Sequence, residues 1–95
     1  MKDQFVTYEI ANRLKELGFN EECLAIYASF YSTKSVDLYF DYLDEFWNYD
    51  IVLPAPLWQQ AIDWINKKYD RIIPYDSDKT FLAARFLHVL NDIKP

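Results

Sequence analysis

The chain has 95 residues, 52% apolar and 26% charged, with one glycine and four prolines; this supplies one hydrophobic core, is too short for two, and excludes collagen-like, linker-like and low-complexity classes. Ten Lys plus Arg against fifteen Asp plus Glu give a formal charge of -5, the wrong sign for holding phosphate backbones by counterion release, so no direct nucleic-acid partner is expected. The lone Cys23 cannot form an internal disulfide, Met1 to Phe5 lack the apolar stretch of a signal peptide, and no run approaches the ~18 apolar residues of a membrane span. The expectation is a single cytoplasmic domain that does not enter a membrane.

Thr7 is placed to cap a helix through Leu17, with Ile10, Ala11, Leu14 and Leu17 recurring on one face and Glu9 complementing the positive helix start. Asn12, Arg13, Lys15 and Glu16 point elsewhere. Gly18 stands where a left-handed residue closes a helix, and Phe19 is placed to pack back on Leu14.

The segment from Glu22 to Tyr31 is apolar on every side, so periodicity leaves it open. Ile26, Tyr27, Phe30 and Tyr31 favour a strand, whereas Asn20, Glu21 and Glu22 followed by Ala25 and Ala28 favour a buried helix. From Val36 to Tyr49, Asp37, Asp41, Asp44, Glu45 and Asn48 fall within roughly a 100° arc of a helical wheel, which predicts a second helix capped by Ser35. A strand over Val36 to Tyr42 competes, because Val36, Leu38, Phe40 and Tyr42 alternate with the residues between them; length favours the helix.

Pro54-Ala55-Pro56 forces an extended approach, and Pro56 is placed in the first turn of a helix running to about Tyr69. Leu57, Trp58, Ala61, Ile62, Trp64, Ile65 and Tyr69 cover roughly 160° of its wheel. Arg71 to Tyr75 reads as an extended piece able to add an edge strand, since Pro74 would spoil a central one. Asp76-Ser77-Asp78 then supplies the cap of a last helix through about Asp92, burying Leu82, Phe86, Val89, Leu90 and Ile93. The predicted fold is therefore α+β and mainly α, with four amphipathic helices and at most a small two-stranded sheet; an all-α fold is the alternative.

Two stretches carry a family resemblance. Val6 to Ala11 with Leu14 to Phe19, and then Ala55-Pro56-Leu57-Trp58-Gln59-Gln60-Ala61 with Asp63 and Trp64, resemble small proteins of Bacteroidetes prophages and mobile elements. With the closing helix the similarity touches over half the chain. Members often carry a longer hairpin before the last helix, for which Asp70 to Ser77 leaves no room here. The resemblance implies a mobile-element setting and no activity, cofactor or site residue.

Candidate sites are few. His88 and Asp92 lie one helical turn apart, the minimum for proton transfer or half a metal site, but with no third donor they read first as a polar helix face. Cys23 paired with His88 would make a hydrolase-like nucleophile; between Glu22 and Leu24 it reads first as a small buried hydrophobe. No nucleophile elbow, phosphate-binding glycine loop or zinc spacing occurs. No catalytic, cofactor-binding or metal site is expected, and no cofactor.

Two surface features remain. Asp37, Asp41, Asp44 and Glu45 form an acidic face, which is ordinarily the solvated side of an amphipathic helix and alternatively a decoy for a DNA-handling protein. Three Trp, eight Tyr and seven Phe make up 19% of the chain, more large rings than a core of this size readily holds. Trp58 and Trp64 fall on opposite shoulders of their helix, and with Trp47, Tyr49 and Tyr69 they make a candidate contact patch. The leading functional expectation is a non-enzymatic interaction or self-association role in a mobile element.

Overall fold

The computed structural model describes residues 2–30, 36–39 and 49–93. After a short 3-10 turn at Lys2–Gln4, the elements run α1 (Tyr8–Glu16), β1 (Ala25–Phe30), β2 (Val36–Tyr39), β3 (Tyr49–Ala55), α2 (Trp58–Tyr69) and α3 (Lys79–Asp92). Thus among the described residues there are three α-helices and a three-stranded antiparallel sheet of order β2-β1-β3. The α+β class is as predicted; four helices and a two-stranded sheet are corrected to this count.

α1 begins and ends as its sequence dictates. The Thr7 hydroxyl accepts from Ile10 N at 3.3 Å. At the other end Gly18, with φ of 100°, lets Gly18 N donate to Lys15 O at 3.0 Å and Phe19 N to Leu14 O at 2.9 Å. This paired closure is the Schellman motif, and a side chain at Gly18 would be strained. Ile10, Ala11, Leu14, Leu17 and Phe19 all enter the main core.

The ambiguous apolar run resolves to strand β1, since it is the central strand with partners on both sides. Tyr27 lies opposite Leu38 of β2 and Leu53 of β3. Alternation then sends Ala25, Tyr27, Ser29, Leu38, Leu53 and Ala55 to one face, and Ile26, Ala28, Tyr39, Val52 and Pro54 to the other. The helix predicted from Val36 is overturned over Val36–Tyr39, where the competing alternation wins because Leu38 is buried with Phe5, Ala25 and Ala55. Residues 40–48, which carry the rest of that predicted helix, lie outside the described residues. β3 accommodates Pro54 because it is an outer strand, where a missing N–H is tolerated.

Pro56 does not open α2. Phe5 bridges Leu57 and Val6 N donates to Pro56 O at 3.0 Å, so the chain stays extended through Leu57 and the helix starts at Trp58. α2 ends at Asp70 in the left-handed conformation, φ 54°. Residues 71–75 form no strand, correcting the predicted edge piece; instead Ile73 anchors this segment in the core. Asp78 caps α3 by accepting from Thr80 N and Phe81 N at 3.1 and 3.3 Å.

The main core joins the three helices through Ile10, Leu14, Trp58, Ile65, Leu82, Phe86 and Leu90. A smaller cluster of Phe5, Ala25, Leu38 and Ala55 lies against the sheet, and Tyr27 packs on both. The Tyr27 hydroxyl donates to Val6 O at 2.6 Å, and its ring meets Tyr8 edge-on at 5.7 Å. α3 is tied back to α1 by Arg13, which donates to Leu90 O and to Asn91 Oδ1, both at 3.0 Å. α3 has no basic residue in its own last turn, so Arg13 supplies the cation its C-terminal carbonyls attract.

Candidate functional site

Among the described residues a concave apolar feature lies between the 71–75 segment and α3. The left-handed Asp70 turns the chain out of α2, and Ile73 is then buried while its neighbour Ile72 stays 79% exposed. On α3, Phe81, Ala84, Arg85 and His88 fall within roughly a 100° arc of the wheel, away from the buried Leu82, Phe86 and Leu90. The two strips enclose a groove of about 390 Å³, with Ile73, Pro74, Ala84 and Val89 among its lining residues beside Ile72, Phe81, Arg85 and His88.

Phe81 is 47% exposed, and the Arg85 guanidinium sits over its ring at 4.8 Å from the centroid. A cation over a ring face gains a modest attraction and keeps its N–H groups able to bond to other acceptors. At one end of α3, Arg71 Nη1 lies 3.9 Å from Asp92 Oδ2. Both side chains are about half exposed, and such pairs contribute little to stability.

The aromatic patch predicted from the sequence is divided by the fold. Trp58 is 3% exposed, packs on Phe86 with ring centroids 5.9 Å apart, and donates its indole N–H to Asp3 O at 2.8 Å; it belongs to the core and not to a surface patch. Trp64 and Tyr69 do come together, edge-on at 6.1 Å, half-buried beside Phe19. Lys68 Nζ lies over both rings, 4.8 Å from Trp64 and 5.5 Å from Tyr69, and donates to Leu17 O at 2.8 Å. That arrangement fastens the end of α2 to the end of α1. Trp47 lies outside the described residues, and Tyr49 opens β3 with its backbone opposite Phe30. Of the acidic face, Asp37 is exposed on β2, while Asp41, Asp44 and Glu45 lie outside the described residues.

Cys23 and His88 line separate hollows and do not meet in one site. Cys23 is half-buried beside Glu21, Ile26 and Val52. Burial first, and the Glu21 charge second, push its thiol up to about 11 against a lowering hydrogen bond from Gln60, the opposite of an activated nucleophile. Among the described residues no three His, Cys, Asp or Glu side chains are placed to hold a metal ion. No helix among them is long and apolar enough to cross a membrane.

The groove residues Ile72, Phe81, Ala84 and Arg85 were not singled out by sequence reasoning. The available signal was Phe81, a large ring on the side of α3 opposite its core stripe, together with an isoleucine on either side of the 72–73 alternation. Compared with known protein families, curated proteins and solved structures, the chain matches none.

Proposed function

We propose that this protein works by protein contact, as an accessory factor of a mobile element, and that the groove between the 71–75 segment and α3 is its contact surface. The observation that supports the reading is the exposure of Ile72 and Phe81 on either side of an apolar concavity. An isoleucine or phenylalanine side chain left in water forgoes about 1.5 to 3 kcal/mol of burial, and two of them flanking one groove form an apolar patch of the kind that marks interaction sites. Trp64 and Tyr69, already covered in part by Phe19 and Lys68, are less suited to anchor a partner.

Site-specific photocrosslinking in the host cell tests this. A photoreactive side chain at Ala84, in the groove, should give one discrete protein adduct that Ile72→Asp abolishes. The same group at exposed Lys67 on α2 should give none. Absence of any adduct from position 84, with folded protein at normal abundance, would end the reading.

A further inference from the structure

The groove's charge is at odds with the rest of the chain. Acidic residues outnumber basic ones fifteen to ten, yet among the described residues no carboxylate lines the groove, and its two ionisable members are Arg85 and His88. The chain's three arginines also differ in their engagement. Arg13 is bound to Leu90 O and Asn91. Arg71 faces Asp92. Arg85 is stacked on Phe81 and, among the described residues, makes no ion pair. An exposed guanidinium lying over a ring beside an apolar trough is complementary to a carboxylate attached to apolar side chains.

Resting on the contact reading above, we infer that the groove receives an amphipathic segment of another protein, whose apolar side chains fill the trough and whose Glu or Asp carboxylate meets Arg85. Three physical arguments select this occupant. A second copy docked groove to groove would bring two cationic rims together with no carboxylate among their lining residues. An anionic membrane is held by clusters of basic side chains, and the one arginine and one histidine of the groove fall well short of that number. A small amphiphile is ordinarily enclosed over most of its surface, whereas a trough bordered by a largely exposed isoleucine fits a segment laid along it.

Fluorescence anisotropy with the full chain distinguishes these. The probe is a short labelled helical peptide of leucine and glutamate, with analogues in which every glutamate becomes glutamine or lysine. The glutamate peptide should bind about tenfold or more tighter than the glutamine peptide, as a charge-assisted hydrogen bond implies, and the lysine peptide more weakly still. Arg85→Glu should reverse the order, added salt should narrow the gap, and Ile72→Asp should weaken all three.

Equal binding of the three peptides, still sensitive to Ile72→Asp, would overturn the acidic partner while leaving the contact reading in place. No peptide binding, together with light scattering that shows dimers lost in Ile72→Asp, would replace the acidic segment with a second copy. Binding to phosphatidylserine vesicles in preference to every peptide would overturn it as well. Failure of the Ala84 crosslink is a separate result and removes the contact reading itself.

Discussion

Arg13 is the residue whose replacement most directly probes how the two ends of the chain are joined. Its guanidinium donates to Leu90 O and to Asn91 Oδ1 across 77 and 78 residues of sequence, and lies 4.0 Å from Glu16. Arg13→Met keeps the methylene stem and removes all the donors. A hydrogen bond from a charged group is worth about 1.5 to 3 kcal/mol, and the favourable interaction with the α3 dipole about 0.3 to 1 more. The side chain is 29% exposed, and water can replace part of the contact, so the predicted loss is about 2 kcal/mol. For a domain of this size that corresponds to a fall in Tm of roughly 10 °C. Urea denaturation should show a lower midpoint with unchanged slope, and hydrogen exchange should show fraying confined to the last turn of α3. Lys15→Met serves as the control, because the Lys15 contact with Val52 O is long, 3.3 Å, and exposed; its predicted cost is under about 0.5 kcal/mol. Equal stability of the two variants would refute the reasoning that Arg13 caps α3 from another helix.

Further outcomes follow from single contacts. Trp58→Phe retains a ring against Phe86 but leaves Asp3 O without the indole donor, so denaturation should show a loss of about 1 to 2 kcal/mol, against about 3 to 5 for Trp58→Ala. Gly18→Ala should cost about 1 to 2 kcal/mol, because φ is 100° and the new Cβ would stand 3.3 Å from Lys68 Nζ; an unchanged urea midpoint would contradict the closure described for α1. The Cys23 thiol, held up to about 11, should alkylate slowly with iodoacetamide at neutral pH and accelerate toward that value. Since its folded pKa is above the ordinary thiol value of 9.0, its contribution to stability is present below about pH 9 and is lost as pH rises to about 11. A reaction midpoint near the ordinary value of 9.0 would place the thiol in free solvent.

Local signals were read well where a side chain's partner lies within one helical turn. The Thr7 cap, the Gly18 closure with Phe19, and the Asp78 cap all involve bonds spanning five residues or fewer, and each was visible in the chain order of residue types. The stretch from Val36 carries both an acidic arc and an alternating pattern, and over Val36–Tyr39 what selects strand over helix is pairing with β1, a non-local term. The start of α2 moved past Pro56 for a similar reason: Phe5 and Val6, about fifty residues earlier, hold Pro56 and Leu57 extended.

The candidate site was less legible than the fold. Ring abundance implies a surface patch of Trp47, Trp58 and Trp64 with Tyr49 and Tyr69, but Trp58 finds both a core and an acceptor in Asp3 O, which wheel position alone does not reveal. The groove draws on two segments that are polar or apolar by turns, Ile72 to Pro74 and Phe81 to Val89, and their juxtaposition depends on the left-handed turn at Asp70. Composition contributed one part of the present reading: an acidic chain makes a carboxylate-free groove containing Arg85 informative.

The central claim, that this groove receives an acidic amphipathic segment of a partner, is tested most directly by titrating the isotopically labelled chain with the leucine–glutamate peptide and following amide chemical shifts. The predicted shifts cluster at residues 72–74 and 81–89. Shifts centred on Trp64 and Tyr69, or no shifts at all, would contradict it.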